Sequence, residues 1–255
     1  MIDTHAHLHD PAFDADREAV VARAREAGVE MVVTVGCDLA DSENAAKIAH
    51  DWNLAWTMGV HPHEAKDAPE DIASAFDELK DKFHIAPRAV GETGLDFYYD
   101  HSPREVQVRV LEAQIAYARA QNLPLVFHQR DAFETFVQTL RAHKFDGMRG
   151  VVHCFTGTPS EARMLTGEFG LFLGIGGVVT FKTAGTLREA VRSAGIEHLI
   201  LETDAPYLAP VPERGKRNEP AFLAHTVLRL CETLVCDRIE LLAVTSRNAR
   251  ELFAL

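Results

Sequence analysis

Eight short apolar runs, separated by longer segments of helical period, limit this chain to a small set of folds. The runs cover residues 1–5, 30–36, 54–60, 89–94, 123–128, 150–154, 171–175 and 199–204. Several lack polar alternation, as in Met31-Val32-Val33-Thr34-Val35, which suits parallel strands buried on both faces. The segments between them carry helix signals. Ser102-Pro103-Arg104-Glu105 reads as a capping box with proline at the first helical position, and Thr158-Pro159-Ser160-Glu161 repeats the device. Gly28 reads as the C-terminal stop of an amphipathic helix over residues 16–27, and residues 222–255 read as helix broken near Cys236-Asp237. Strand and helix alternating in this way predict an α/β chain folded as a (β/α)8 TIM barrel, with a doubly wound open sheet as the alternative. The 255 residues suit one such barrel and show no linker, low-complexity segment or repeat, so a single domain over residues 1–255 is expected.

Charge narrows the function classes. Lysine and arginine number 26 against 38 acidic residues, a net charge of −12. A broad basic surface for nucleic acid is excluded, so a polyanionic substrate would have to be attracted locally, by metal ions and a few basic loop residues. Cys37, Cys154, Cys231 and Cys236 show no C-x-x-C spacing and are expected as reduced thiols. Met1 leads directly into Ile2-Asp3-Thr4-His5 with no basic and apolar leader, and no run approaches the ~18 apolar residues of a membrane span, which predicts a cytoplasmic protein.

In a (β/α)8 barrel the chemistry sits at the carboxyl ends of the strands, and five of the eight runs end in ligand-type side chains. His5-Ala6-His7 closes the first; residues two apart on a strand share a face, so both imidazoles can reach one ion. Glu92 ends the fourth between Gly91 and Gly94, where a buried carboxylate must pair or bind metal. His128 ends the fifth and His153 the sixth, and imidazole is the commonest transition-metal ligand. Asp204 ends the eighth, placed to act as ligand and general base together. Each alone has an ordinary reading as a surface histidine, a salt bridge, a core histidine or a turn aspartate. Together they predict a metal centre with enough ligands for two divalent ions, of which zinc, manganese, magnesium and iron all remain open.

Other residues admit two readings each. His61 and His63, after the third run, either bind a phosphate or leaving group or simply line a loop. Arg130 either forks onto phosphate or pairs with Asp131 or Glu134. Arg217, in the basic run Arg214-Gly215-Lys216-Arg217-Asn218, either guides phosphate or is solvated. Glu202 shares a strand face with Asp204 and is expected to orient a metal-bound histidine. Phe97, Tyr98 and Tyr99 either stack on a base or pack their loop.

The order of these motifs resembles the TatD family of metal-dependent deoxyribonucleases, within the metal-dependent hydrolase superfamily. The matching stretches are residues 2–8, Gly59-Val60-His61-Pro62-His63, Gly91-Glu92-Thr93-Gly94-Leu95-Asp96, His128-Gln129-Arg130-Asp131-Ala132, His153-Cys154-Phe155-Thr156-Gly157, residues 202–208, Arg217-Asn218-Glu219-Pro220 and Asn248-Ala249. They span nearly the whole chain. Family members often carry serine or threonine where this chain has Gln129. The resemblance implies that His5, His7 and Asp204 serve one ion, His128 and His153 the other, and that Glu92 bridges them. It also implies divalent-metal-dependent hydrolysis of DNA phosphodiesters, often removing nucleotides from a 3′ end. A recessed barrel mouth admits a strand terminus more easily than a duplex, which predicts single-stranded ends, and Asp204 is expected to take a proton from the attacking water. Two alternatives remain: hydrolysis of another ester or amide, such as aminoacyl-tRNA or a lactone, since fold does not fix function, and a metal-stabilised interaction protein without turnover.

Overall fold

The computed structural model describes residues 1–255. The eight expected strands are present: β1 (Ile2–Ala6), β2 (Met31–Val35), β3 (Ala55–Thr57), β4 (Val90–Asp96), β5 (Leu125–Arg130), β6 (Gly150–Val152), β7 (Phe172–Ile175) and β8 (Leu199–Leu201). Nine helices alternate with or follow them: α1 (Arg17–Glu26), α2 (Leu39–Trp52), α3 (Ile72–Asp81), α4 (Arg104–Gln121), α5 (Phe133–His143), α6 (Pro159–Phe169), α7 (Gly185–Ala194), α8 (Leu223–Leu234) and α9 (Arg238–Phe253). Contacts gather into two compact units, Met1–Thr34 with His153–Leu255, and Val35–Val152.

In the first unit β1 runs parallel to β2 and β7 parallel to β8, and an isolated bridge joins Ala6 to Ala205. Helix stripes explain how the sheet is covered. On α7 the buried residues Leu187, Ala190, Val191 and Ala194 recur at the three-and-four spacing of one helical face, and on α8 Leu223, Thr226, Val227 and Leu230 do the same. The capping box at Thr158 and Glu161 forms as expected, and Gly28, at φ +87°, donates its N–H to the Arg25 carbonyl just past α1. The C-terminal helix breaks where expected, with Asp237 capping α9 through Glu240 N–H. Asn248 on α9 donates to the Glu197 and Leu199 carbonyls and so anchors that helix to the start of β8.

In the second unit a bridge between Met58 and Val90 joins the end of β3 to β4, and β4–β5 and β5–β6 are parallel pairs. Gly94 lies opposite His128 in the β4–β5 register at φ +148°, and a Cβ there would overlap the His128 carbonyl oxygen. Only glycine permits that approach. Helix α4 holds the ends of β3 and β4 with two buried glutamines seven residues apart, hence on one face. Gln114 accepts from Val60 N–H at 2.9 Å and donates to the Val60 carbonyl and Thr93 hydroxyl at 2.9 and 2.7 Å. Gln107 accepts from Asp96 N–H and donates to the Asp96 and Ser102 carbonyls.

The expected capping box at Ser102 does not form. Pro103 occupies the N-cap without a side-chain cap, because the buried Ser102 hydroxyl is taken elsewhere: it donates to the His63 carbonyl at 2.8 Å and accepts from Lys66 N–H at 3.0 Å. The helix start thus fastens the loop after β3. Replacing Gln114 by leucine leaves Val60 N–H and C=O buried without partners, and unfolding in urea should show a loss of roughly 2–5 kcal/mol. A variant within about 0.5 kcal/mol of the parent would refute the clamp.

Candidate metal centre

The first unit collects His5, His7, His153, Glu202 and Asp204. Asp3, His5 and His7 alternate along β1 and beyond it, so they share a face. The chain returns beside them after β8, where Asp204 N–H donates to the His5 carbonyl at 2.8 Å and His7 N–H to the Ala205 carbonyl at 2.7 Å. Two side chains fix this corner. Asp3 accepts from Thr203 N–H and hydroxyl at 2.9 and 2.6 Å. Asn218 donates to the Thr203 and Tyr207 carbonyls at 2.8 and 2.7 Å. The corner carries Asp204 Oδ1 to 3.4 Å from His7 Nε2 and 3.7 Å from His5 Nε2. The His5 and His153 rings stack with centroids 3.9 Å apart.

Glu202 lies behind this group. Its carboxylate accepts from Cys154 N–H, comes within 3.8 Å of His153 Nδ1, and leaves its second oxygen without a hydrogen bond. The space exists because residue 174 is glycine, where a Cβ would overlap that second oxygen. Burial pushes the Glu202 carboxyl up to about 8, against the lowering pull of His153 and Cys154 N–H. Burial likewise raises Asp3 to about 7 despite its hydrogen bonds from Thr203 and His5 N–H. At Asp204 burial works the same way, but the His7 hydrogen bond and the charges of His153, His5 and His7 outweigh it and hold the carboxyl below its usual range.

The second unit builds a matching group on β4 and β5. Glu92 Oε1 lies 2.9 Å from His128 Nδ1 and 3.4 Å from His61 Nε2. Burial drives the His61 imidazole down to about 4. Asp96, two residues pairs beyond Glu92 on the same face, places Oδ2 2.9 Å from His63 Nε2 and 3.2 Å from His128 Nε2, while Oδ1 accepts from Tyr98 and Tyr99 N–H at 3.0 Å each. Burial acts to raise Asp96, but the bonds from His128, Tyr99 N–H and His63 prevail and hold it well below the carboxylate range. Cys37 Sγ stands 3.9 Å from Glu92 Oε2.

Within each unit one donor set therefore fits a divalent ion by chemistry and spacing. His5, His153 and Glu202 bring ligand atoms within 4.8 Å of one another, and so do His61, Glu92 and His128. Two imidazoles and a carboxylate suit a transition metal. Glu202 and His61 are not among the metal ligands expected from the sequence, and Asp96 has no expected role. The signal for Asp96 was available, because Glu92, Gly94 and Asp96 are spaced by two along a strand.

The basic residues divide. Arg217 binds Asp16 through both guanidinium nitrogens at 2.7 and 2.9 Å, and donates to the Ala12 carbonyl. That hydrogen bond, from an arginine, draws the Asp16 carboxyl down to about 2. Lys216 pairs with Glu213, and Arg214 donates to the Ala209 carbonyl and lies over the Phe181 ring. In the structure each cation of this basic run thus has a partner within the chain. Arg130 forms neither expected ion pair with Asp131 or Glu134, and its guanidinium rests on the rings of Tyr98 and Tyr99. Gln129, with its amide oxygen turned inward, accepts from Ala132 and Phe133 N–H and so caps α5, whose own N-cap residue makes no side-chain bond.

Comparison with known proteins decides the family. The model of the TatD related DNase family matches residues 2–254. The chain belongs to the TatD family. It is 36% identical over 256 residues to the metal-dependent hydrolase YabD of Bacillus subtilis, covering 100% of this chain and 99% of that protein. It is 37% identical over 262 residues to the 3′-5′ ssDNA/RNA exonuclease TatD of Escherichia coli, covering 100% and 99%. Among solved structures, the TatD homologue YjjV of Escherichia coli superposes with a TM-score of 0.93 at 27% identity, covering 100% of this chain and 98% of that one. The fold class is accordingly the α/β, TIM-barrel type expected from the strand and helix alternation. As a TatD-family protein the chain is an enzyme, a hydrolase of ester bonds, and its clustered histidines and carboxylates suit divalent metal.

Gly174→Ala should push Glu202 off Cys154 N–H while leaving every imidazole in the chain. Bound zinc or manganese, measured by plasma mass spectrometry after dialysis, should fall at least about tenfold in affinity. Unchanged affinity would show that Glu202 does not position the histidine.

Proposed function

We propose that this TatD-family enzyme is a two-metal phosphodiesterase that removes nucleotides from the 3′ ends of single-stranded DNA, acting as one catalytic domain over residues 1–255. In this reading His5, His7 and Asp204 would hold one ion and His128 and His153 the other, with Glu92 as a ligand available to both. The observation that carries it is the gathering of imidazoles around a buried carboxylate in each unit, His5 and His7 on Asp204 just past β8 and His128 and His61 on Glu92 within β4. Bound divalent cations supply acidification of water and neutralisation of charge on the phosphate oxygens.

The chain's own groups do the rest. Asp204, held low in pKa and backed by His7 and His5, is an ionised carboxylate at neutral pH and accepts the proton of the attacking water. Glu202 fixes His153 from behind. Asp96 orients His63 and His128 together, which leaves His61 and His63 to face the phosphate or its leaving group. Arg130 is free to meet a phosphate, whereas Arg217 is bound to Asp16. Single-stranded ends suit a chain of net charge −12, because duplex wrapping needs many phosphate contacts. Relatives named ssDNA/RNA exonucleases support the substrate class. No helix is long and apolar enough to cross a membrane, and the reading places the enzyme in the cytoplasm.

Chelation should abolish hydrolysis of a 3′-labelled single strand, and added manganese or zinc should restore it. Asp204→Ala should reduce turnover roughly 10²–10⁴-fold, and Glu92→Ala should do at least as much, in protein whose circular dichroism matches the parent. Full activity in both variants would refute the assignment. Turnover of aminoacyl-tRNA or a lactone with none of oligonucleotide would refute the substrate.

A further inference from the structure

The loop after β4 exposes two aromatic rings beside the metal-type cluster without burying either. Tyr98 is 57% and Tyr99 49% exposed, and their rings meet edge to face at 4.8 Å. The exposed Arg130 lies over both, with its guanidinium carbon 4.1 Å from the Tyr98 centroid and 4.7 Å from that of Tyr99. His101 extends the surface, stacked on Tyr99 at 5.4 Å with the rings 4° from parallel. Residues that merely packed this loop would be covered. Here the apolar contacts of the loop are made instead by Arg104, which lies over Phe97 and binds Asp100 with two nitrogens. The Arg130 guanidinium makes no hydrogen bond or ion pair and contacts only the two rings, so its five N–H donors remain available.

One buried carboxylate fixes this surface relative to the reacting groups. Asp96 Oδ1 accepts the N–H groups of Tyr98 and Tyr99, and Oδ2 contacts His63 and His128. The Tyr99 ring stands 5.5 Å from His63, which stands 6.3 Å from His128. A single imidazole, His63, therefore stands between the Tyr99 ring and a proposed metal ligand.

We propose that Tyr98, Tyr99 and Arg130 form a cradle for the terminal nucleotides of a single strand, the rings stacking on an unpaired base while Arg130 donates to the adjoining phosphate. This rests on the phosphodiesterase reading above and adds to it the class of group recognised: a nucleobase of any identity, since every base offers a π-face and stacking carries no hydrogen-bond code. Arginine's planar fork suits the phosphate while its face stays on the rings.

The test uses the full chain and a fluorescent single-stranded oligonucleotide, paired with one whose terminal residues at both ends are abasic. The parent should cleave both, with KM lower for the base-bearing strand. Tyr98→Ala/Tyr99→Ala should raise KM for the base-bearing strand about tenfold, with kcat within about twofold, and should leave the abasic strand unchanged. Tyr98→Phe/Tyr99→Phe should restore the parent value. Arg130→Gln should raise KM for both strands. In chelator, fluorescence anisotropy should show the same order of binding without turnover. A tyrosine double variant with the parent's KM and Kd on the base-bearing strand overturns the cradle while leaving the hydrolase reading intact. A parent that cleaves neither strand overturns the phosphodiesterase reading, and the cradle with it.

Discussion

The structure depends on how it accommodates carboxylates that have been withdrawn from water. Asp3, Glu92, Asp96, Glu202 and Asp204 are all buried on or just beyond the strands, where an uncompensated charge costs several kcal/mol. Each is answered in a different way. Asp3 is met by Thr203 N–H and hydroxyl, and Asp96 by backbone N–H groups on one oxygen and the His63 and His128 imidazoles on the other, which makes both organisers of the chain around them. Glu92 and Asp204 are met by imidazoles, which makes them candidates for metal. Glu202 is the least satisfied, with one oxygen unbonded and a pKa pushed up to about 8. The burial that costs stability is the same burial that would make a cation welcome.

Around these groups the scaffold uses amides as clamps. Gln107 and Gln114 hold the ends of β3 and β4 from one face of α4, Asn218 holds the Thr203–Ala205 corner, and Asn248 ties α9 to β8. An amide offers a donor and an acceptor together, so it can satisfy the N–H and C=O of one exposed peptide, as Gln114 does at Val60. Part of what resembles a functional signature is structural by this measure. Asn218 and Glu219 support the site by fastening its corner, Glu219 through an ion pair to Arg23 that is 2.6 Å long.

Much of this was legible in the residues, for physical reasons. Strands buried on both faces leave continuous apolar runs, and all eight were recognisable, although β3, β6 and β8 end two or three residues earlier than their runs. The apolar character continues past the last ladder hydrogen bond because the site loops are themselves buried. His5, His7, Glu92, His128, His153 and Asp204 stood out by their position at those ends. What escaped notice depended on long-range pairing. Nothing local in Ser102-Pro103-Arg104-Glu105 reveals that the serine is taken by His63 and Lys66, or that Arg217 is taken by Asp16 far away in the chain. Gln129 looked like a departure at a substrate position, and it turns out to cap a helix. Asp96 was the exception, since strand spacing from Glu92 would have found it.

The central claim is that these imidazole and carboxylate groups hold a pair of divalent cations. Anomalous diffraction from crystals soaked in manganese, recorded on both sides of its absorption edge, addresses it directly. The account predicts two peaks per chain, one among His5, His7 and Asp204 and one beside Glu92 and His128. Manganese bound only at surface carboxylates, with no anomalous density at either group, would contradict it.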